Sequence, residues 1–397
     1  MKTCLYCSVV STIALLLMST VVSQEPEATP NQDKVTSPQI EVCFVLDTTG
    51  SMSGLIQGAK DKIWSIANEM INTEPAPNIK FGLIGYRDLH DKYVTRRFEM
   101  TSDIDEIHSK LMAFAADGGG DTPESVNQAL LESVREMDWS EDRNVLKIIF
   151  LVGDAPPHMD YDETQYPEIC DIAVGKDLII NTIQCGVIAG TEAVWKTIAQ
   201  RTEGKFAAIL QNGGTVAIRT PFDDQLSRLN GTLNGTVCPY GDADEHNRIN
   251  SKIRSQAESN SEAIADRSTF FSRSRSSSSI GVPVGSAFGG MNCVISGADD
   301  LVEMIMDGEV EIDAIDTEKL PEDLKKLSPQ ERTAELKKRI EARKQTLAKI
   351  DELVKKRSDF LEAEKAKMAE EAPDGFDMQV KEMIREQAKG KDINFAK

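Results

Sequence analysis

The chain has 397 residues and a formal net charge of −20 at pH 7. Its length exceeds that of an average domain, so we expect two or three structural units. The negative charge excludes non-specific nucleic-acid binding, because nothing would offset repulsion from the phosphates. The sequence contains no Walker phosphate loop, His-Glu-x-x-His motif or Gly-x-Ser-x-Gly motif. We therefore predict no enzymatic activity.

The first residues have the pattern of an export signal. Lys2 supplies a positive start, and an apolar stretch follows at 9–22. We expect residues 1–23 to be a signal peptide and the mature protein to be secreted or periplasmic. A membrane anchor is the alternative, but the apolar stretch is short and interrupted by serines and threonines, so we expect no membrane insertion after cleavage. Residues 24–39 contain three prolines and are predicted to be a flexible linker.

Residues 40–213 alternate short apolar segments with amphipathic ones. Strands are predicted at 42–46, 79–86, 94–98, 146–152, 179–185 and 206–209. Helices are predicted at 53–70, 104–115, 125–137, 166–175 and 192–202. This alternation predicts an α/β fold with a doubly wound, mostly parallel six-stranded sheet. Ligands of such sheets bind at the carboxyl ends of the strands.

Polar side chains follow the first strand where it gives way to a helix. Asp47 ends an apolar run, and Thr49 and Ser51 place hydroxyls two and four positions later. Such hard oxygen ligands suit a hard divalent cation, magnesium above all. The same residues could instead form a turn and a helix N-cap. Both interpretations put side-chain oxygens at the mouth of a helix, so they are compatible.

Two further segments lie near this point in the predicted fold. Residues 118–124 read Gly-Gly-Gly-Asp-Thr-Pro-Glu, and the strand at 148–153 is followed by Asp154. Glu124 is predicted to lie in the first turn of the next helix, where it would complement the helix dipole.

These three segments together resemble the von Willebrand factor type A domain. Its metal-ion-dependent adhesion site has the pattern Asp-x-Ser-x-Ser, and Thr49 replaces the first serine with another hydroxyl. The whole chain also resembles exported bacterial proteins with this domain, whose function is largely undescribed. The resemblance implies a Rossmann-like fold and a bound Mg²⁺, with Mn²⁺ or Ca²⁺ possible. The implied ligands are Asp47, Thr49, Ser51, Thr122 or Asp121, and Asp154. It also implies a partner protein whose Asp or Glu carboxylate completes the coordination.

Residues 214–317 are predicted to be an irregular, low-complexity connector with some helix, at 249–264 for example. Arginines and serines at 272–279 are predicted to form a solvated loop. Five cysteines follow the signal peptide, and an odd number cannot all pair within one chain. Cys43 and Cys185 lie in predicted strands and are expected to be small buried side chains, whereas Cys238 and Cys293 could form a disulfide.

Residues 318–397 are predicted to be a helical region. Ser328 to Glu331 form a capping box with proline at the first helical position, so a helix should run to about residue 371. Apolar residues recur every seven positions from Ile340 to Met368, but the companion seam includes Arg343 and Arg357. That seam is poor for a strict coiled coil. We expect the helix to pack on another helix, for example 376–387, while self-association stays open.

The sequence thus predicts an exported, metal-ion-dependent protein-binding module for adhesion or scaffolding. The alternative is a structural module whose cation only stabilises the fold, with partner binding through the C-terminal helix. His158 follows the second aspartate of the site closely, and we interpret it as a surface residue rather than a ligand.

Overall fold

The computed structural model of the protein describes residues 37–73, 75–120, 122–214, 218–279, 292–368 and 375–395. The predicted signal peptide, residues 24–36 of the predicted linker and Asp121 lie outside these described residues. No helix in the described ranges is long and apolar enough to cross a membrane.

A six-stranded sheet forms the centre of the molecule. Its strands are β1 (Gln39–Asp47), β2 (Asn78–Tyr86), β3 (Thr95–Thr101), β4 (Leu146–Gly153), β5 (Ile179–Cys185) and β6 (Phe206–Ile209). Their order is β3-β2-β1-β4-β5-β6, with β3 antiparallel and the others parallel. The predicted fold class is confirmed.

Helices cover both faces of the sheet. They are α1 (Ser53–Met70), α2 (Ile104–Met112), α3 (Val126–Arg135), α4 (Tyr166–Gly175) and α5 (Thr191–Arg201). Successive residues of β1 point to opposite faces. Val42 and Phe44 therefore pack in one apolar core with α1 and α2, whereas Cys43 and Val45 pack in another with α3, α4 and α5. Burial on both faces explains why the central strands are almost continuously apolar.

Four helices occupy the predicted connector. They are α6 (Asp223–Asn234), α7 (Ala243–Ala257), α8 (Ser261–Ser279) and α9 (Leu301–Met306). The predicted loop at 272–279 is wrong, because these residues form the end of α8. The hydroxyls of Ser274 and Ser276 donate to the carbonyls of Phe270 and Ser272 at 2.9 and 3.0 Å, so these two serines are satisfied within the helix. Phe270 and Phe271 anchor α8 against Trp64 of α1.

A short helix, α10 (Glu322–Lys325), precedes the long helix α11 (Pro329–Met368). The capping box is confirmed: the backbone N–H of Ser328 donates to Glu331 Oε2 at 2.9 Å, and the N–H of Glu331 is 3.4 Å from Ser328 Oγ. α11 packs on α6, α8 and α9. Its polar seam forms buried ion pairs, since Arg343 Nη2 lies 2.6 Å from Asp300 Oδ2.

The last helix, α12 (Phe376–Ala388), packs on α1 and β4. The expected packing of this segment on α11 is therefore wrong. Phe376, Val380 and Ile384 are buried in the same core as β1, and the rings of Phe376 and Phe44 lie 6.5 Å apart. The last helix thus completes one face of the sheet, and α6 to α11 are inserted between β6 and α12.

All five cysteines that follow residue 24 are free and buried. Cys238 packs in an apolar cluster with Leu301 and Leu336, whereas Cys293 belongs to the core of the sheet. The possible disulfide between Cys238 and Cys293 is therefore not formed.

Candidate metal site

Asp47 lies fully buried at the carboxyl end of β1. Its Oδ1 accepts hydrogen bonds from the Thr49 backbone N–H at 2.8 Å and from Thr49 Oγ1 at 2.6 Å. Thr49 Oγ1 in turn lies 3.3 Å from Ser51 Oγ. The turn thus brings together the three predicted ligands of the first segment.

Among the residues that the structure describes, the other carboxylate oxygen of Asp47 has no hydrogen-bond partner, although it is buried. Leaving a carboxylate oxygen buried and unpaired is costly, so such atoms normally face a donor, an ion or water. Asp47 Oδ2 lies against Gly153 of β4, where a Cβ atom would approach it to 3.1 Å. The Oδ2 atom of Asp47 therefore faces the carboxyl end of β4.

Asp154 follows that strand and belongs to the same group. Its Oδ2 accepts a hydrogen bond from Gln211 Nε2 at 2.7 Å, and the same amide nitrogen lies 3.2 Å from the Ser51 carbonyl oxygen. Thr191 Oγ1 donates to the Asp154 carbonyl at 2.9 Å. Gln211, from the loop after β6, thus connects the first and third segments. Sequence reasoning missed Gln211, since no local pattern identifies it.

Two glycines hold the second segment close to the first. Gly118 and Gly119 both have φ of +77°, a left-handed conformation that favours glycine. The Gly118 carbonyl accepts a hydrogen bond from the Gly50 N–H at 3.1 Å, and the Gly119 N–H donates to Asp91 Oδ2 at 3.0 Å. A side chain at position 118 would collide with the Asp91 carboxylate. The glycines therefore permit the close approach of this loop.

The second segment directs Glu124 into the site. Glu124 is buried, its Oε2 has no hydrogen-bond partner, and its Oε1 lies with the Thr49 side chain against Gly119. The prediction that Glu124 lies in the first helical turn is wrong, because α3 begins at Val126. Thr122 is exposed. The loop is fixed by backbone hydrogen bonds from the Glu124 N–H to Pro156 O and from the His158 N–H to Glu124 O.

A polar network borders the site on the β2 side. Ser125 Oγ donates to Asp88 Oδ1 at 2.9 Å, and the Tyr161 hydroxyl donates to Asp88 Oδ2 at 3.0 Å. The His158 ring stacks on Tyr161 with centroids 3.9 Å apart, and its Nδ1 lies 2.9 Å from Asp160 Oδ1. The interpretation of His158 as a surface residue is wrong, since only 6% of it is exposed.

Burial raises the pKa of two carboxylates in the site, and neighbouring negative charges add to the effect. Burial raises the pKa of Asp47 to about 7, the negative charge of Asp154 adds to the effect, and the hydrogen bonds from Thr49 oppose it. Burial likewise raises the pKa of Glu124 to about 9, followed by repulsion from Asp47 and Asp88. A divalent cation would reverse this balance by favouring the ionised carboxylates.

The donor set fits a hard cation. In the described part of the site, one buried carboxylate oxygen each of Asp47 and Glu124 has no hydrogen-bond partner. The hydroxyls of Thr49 and Ser51 lie close to Asp47. The described part of the chain contains no group of three or more His, Cys, Asp or Glu arranged to hold a metal ion. A cation held here would need hydroxyl oxygens as well as carboxylates, and Mg²⁺ accepts such hard oxygens readily.

Sequence comparison agrees with this architecture. A family model described as von Willebrand factor A domain matches residues 41–220. The chain is 27% identical over 167 residues to a putative ariadne-like RING finger protein of Acanthamoeba polyphaga mimivirus, a match that covers 41% of this chain and 16% of that protein. It is 27% identical over 140 residues to the alpha-protein kinase vwkA of Dictyostelium discoideum, covering 35% of this chain and 21% of the kinase. The chain thus spans less than a quarter of the length of these relatives.

Solved structures that match part of the chain do so at low identity. The conserved hypothetical protein BatB of Bacteroides thetaiotaomicron is 17% identical, with a TM-score of 0.33 and coverage of 43% of this chain and 90% of that one. An aerotolerance-related membrane protein of Bacteroides fragilis is 15% identical, with a TM-score of 0.31 and coverage of 44% and 92%. Proximal thread matrix protein 1 of the mussel byssus is 14% identical, with a TM-score of 0.35 and coverage of 44% and 43%.

The family match, the strand order and the three loops at one edge of the sheet lead to one conclusion. The chain contains a von Willebrand factor A domain at residues 41–220, a type of domain that indicates a protein-interaction module.

Proposed function

We propose that this protein is an exported, metal-ion-dependent protein-binding module that serves in adhesion or as a scaffold. The observation that carries the proposal is Asp47 Oδ2, a buried carboxylate oxygen without a hydrogen-bond partner at the carboxyl edge of the sheet. Export rests on the signal-like residues 1–23. No enzymatic activity is proposed.

Asp47, Thr49 and Ser51 would hold the cation, and Asp154 would contact it directly or through water. The second segment would add Thr122 or Asp121, as the sequence predicts. Glu124 joins this set because its carboxylate is buried beside Thr49. Mg²⁺ is the preferred ion for these hard oxygens, with Mn²⁺ and Ca²⁺ as alternatives.

The site is open to solvent on one side. Gly50, Ser51 and Gln211 are exposed, while Asp47 and Thr49 are buried beneath them. A bound divalent cation supplies positive charge that attracts a further carboxylate. An Asp or Glu of a protein partner would therefore approach past Ser51 and complete the coordination. The Gln211 side chain donates a hydrogen bond to Asp154, so it would have to move aside or share this space with the incoming carboxylate.

Calorimetric titration of Mg²⁺ into the chelator-stripped mature protein tests this proposal. We expect saturable binding to one site that disappears in Asp47→Ala. Asp142→Ala is the matched control, because Asp142 is an exposed aspartate just before β4, at the opposite edge of the sheet. Failure of the intact protein to bind Mg²⁺, Mn²⁺ or Ca²⁺ at millimolar concentration would refute the proposed site.

The rival interpretation assigns partner binding to the C-terminal helix and only a structural role to the cation. The apolar residues of α11 argue against it, since Leu347, Ile350 and Val354 are already buried against the inserted helices. A metal-stripped protein that stays folded and loses a carboxylate-bearing ligand would support our proposal. Unfolding on metal removal would support the rival.

A further inference from the structure

A tyrosine hydroxyl lies buried beneath the candidate metal site. Tyr86 is the last residue of β2 and pairs with Asp47 in the parallel register of β1 and β2. The residue is fully buried, and its hydroxyl has no hydrogen-bond partner among the residues that the structure describes. A buried hydroxyl without a partner is costly, so this atom calls for a group that completes its hydrogen bonding.

The surrounding structure holds the Tyr86 side chain in place. Its carbonyl accepts hydrogen bonds from the backbone N–H and the hydroxyl of Thr48, both at 2.8 Å. Its ring packs in the core cluster that contains Val45 and Ile84. Because backbone and ring are both fixed, the hydroxyl cannot turn towards another protein group without disturbing the core.

The Tyr86 hydroxyl and the Asp47 carboxylate border the same small space. A Cβ atom at Gly153 would collide with the Tyr86 hydroxyl and would lie 3.1 Å from Asp47 Oδ2. The glycine at the end of β4 therefore keeps this space open. Burial raises the pKa of Tyr86 well above its ordinary value, and the negative charges of Asp47, Asp154 and Glu124 add to the effect. The phenol thus remains protonated next to the carboxylates of the site.

A single water molecule would satisfy both orphaned oxygens. Tyr86 and Asp47 Oδ2 could each accept one hydrogen of this water, while the water oxygen stays available to a cation. Mg²⁺ gives up its hydration water reluctantly and usually keeps several water molecules in a protein site, in nearly ideal octahedral geometry. Ca²⁺ takes more protein oxygens in a flexible geometry, so it depends less on any one ordered water.

We propose that Tyr86 is a positioning residue that makes the site prefer Mg²⁺ over Ca²⁺, because it orders a hydration water of the cation together with Asp47. This inference rests on the proposed metal-dependent function and adds the choice of ion. Tyr86 acts from the buried side of the site, whereas the partner carboxylate would approach past the exposed Ser51.

Calorimetric titration of Mg²⁺ and Ca²⁺ into the full mature protein and into Tyr86→Phe tests the inference. The substitution removes one oxygen and keeps the packed ring. We expect Mg²⁺ to bind about tenfold more weakly to the variant, as is typical when a group that orients the coordination shell is lost. Ca²⁺ affinity should fall by less than about threefold. Tyr240→Phe is the matched control, since Tyr240 packs among the inserted helices and its hydroxyl accepts a hydrogen bond from the Asp316 N–H at 2.9 Å.

Urea unfolding in EDTA supplies a second measurement, which a merely structural hydroxyl would affect in the opposite way. The urea midpoint of Tyr86→Phe should equal or exceed that of the intact protein, because an unpaired buried hydroxyl is removed. Tyr240→Phe should instead have a lower midpoint and unchanged affinity for both ions, because it loses a hydrogen bond far from the site.

The outcomes separate this inference from the proposed function. Equal losses of Mg²⁺ and Ca²⁺ affinity in Tyr86→Phe, or no loss, would overturn the role of Tyr86 and leave the metal-dependent function standing. A lower urea midpoint of Tyr86→Phe in EDTA would show that the hydroxyl serves the fold, and would also overturn that role. Absence of ion binding by the intact protein would overturn both proposals.

Discussion

Replacement of Arg267 tests whether the inserted helices fold together with the sheet. Arg267 of α8 forms a bidentate pair with Asp105 of α2, with both nitrogen–oxygen distances at 2.8 Å, and both side chains are almost fully buried. Its Nη2 also donates to the Val294 carbonyl at 2.6 Å. Arg267→Met keeps the length and apolar stem but removes the bidentate partner of the buried Asp105, which keeps the Ser296 N–H hydrogen bond and the influence of the Lys252 charge. We expect the free energy of unfolding at pH 7 to fall by about 3–5 kcal/mol.

The loss of unfolding free energy in Arg267→Met should be smaller at pH 5 than at pH 7. Burial alone would raise the pKa of Asp105, but the Arg267 guanidinium overrides it and holds the pKa below its ordinary value. Without Arg267, burial dominates and the folded-state pKa lies above the unfolded value of about 4. The folded variant then binds a proton before the unfolded chain does, so acidification stabilises it. The difference between the variant and the intact protein should therefore shrink from pH 7 to pH 5.

Urea unfolding followed by circular dichroism at the two pH values measures this difference. Arg254→Met is the control, because Arg254 is exposed on neighbouring α7 and its replacement should change stability by less than about 0.5 kcal/mol. A loss below about 1 kcal/mol in Arg267→Met, or a loss that does not vary with pH, would refute the assigned role of the pair.

Three further predictions concern other parts of the molecule. Burial lowers the pKa of His108 to about 4, so the free energy of unfolding should fall by up to about 3 kcal/mol as pH drops from about 6.5 towards 4. His108→Gln should flatten the pH dependence of the urea midpoint, and an unchanged pH dependence would contradict this role of His108. Phe376→Ala should lower the free energy of unfolding by about 3–5 kcal/mol in the same assay, because it leaves a cavity where Phe376 of α12 packs against Phe44. A loss under about 1 kcal/mol would show that α12 is not part of the core. Glu124→Gln should weaken Mg²⁺ binding in calorimetry at least as much as Thr122→Ala, because the Glu124 carboxylate is buried in the site and Thr122 is exposed. A larger loss of Mg²⁺ affinity in Thr122→Ala than in Glu124→Gln would make Thr122 the ligand of this loop.

The sheet and the first segment of the candidate site, Asp47 to Ser51, were predictable because each depends on residues that are close together in the sequence. The apolar runs of β1 and β4 are buried on both faces, so each strand reads as a continuous hydrophobic segment. The hydroxyls of Thr49 and Ser51 lie within one turn of Asp47, and their arrangement depends on few other residues. Such short-range geometry follows from spacing alone.

The orientation of Glu124 was not predictable in the same way. It depends on the left-handed backbone of Gly118 and Gly119 and on hydrogen bonds to the loop after β4. The prediction from the helix dipole used only the neighbouring residues of the sequence. It therefore placed Glu124 in the first turn of α3, although α3 begins at Val126. The burial of His158 was missed for the same reason, since its contacts come from Tyr161 and Asp88.

The partners of the C-terminal helices were also beyond sequence reasoning. The apolar stripe of α12 fits any helix or sheet face of similar width, and only the tertiary structure assigns it to α1. The polar seam of α11 argued against a strict coiled coil, and self-association stays a prediction. The pairing of Arg357 with Asp223 and Asp266, at 2.8 Å each, gives the physical reason for the polar seam.

The placement of α12 has a consequence for the order in which the protein can fold. The ribosome makes β1 and α1 near the beginning of the chain, but the helix that covers them is made near its end. Contacts between such distant segments slow folding, because the long intervening loop must close first. Until Phe376 emerges, the apolar surface around Phe44 stays uncovered. A nascent chain of this kind can complete its core only after α12 has been made. A chain that ended before α12 would expose this apolar surface to proteases and chaperones.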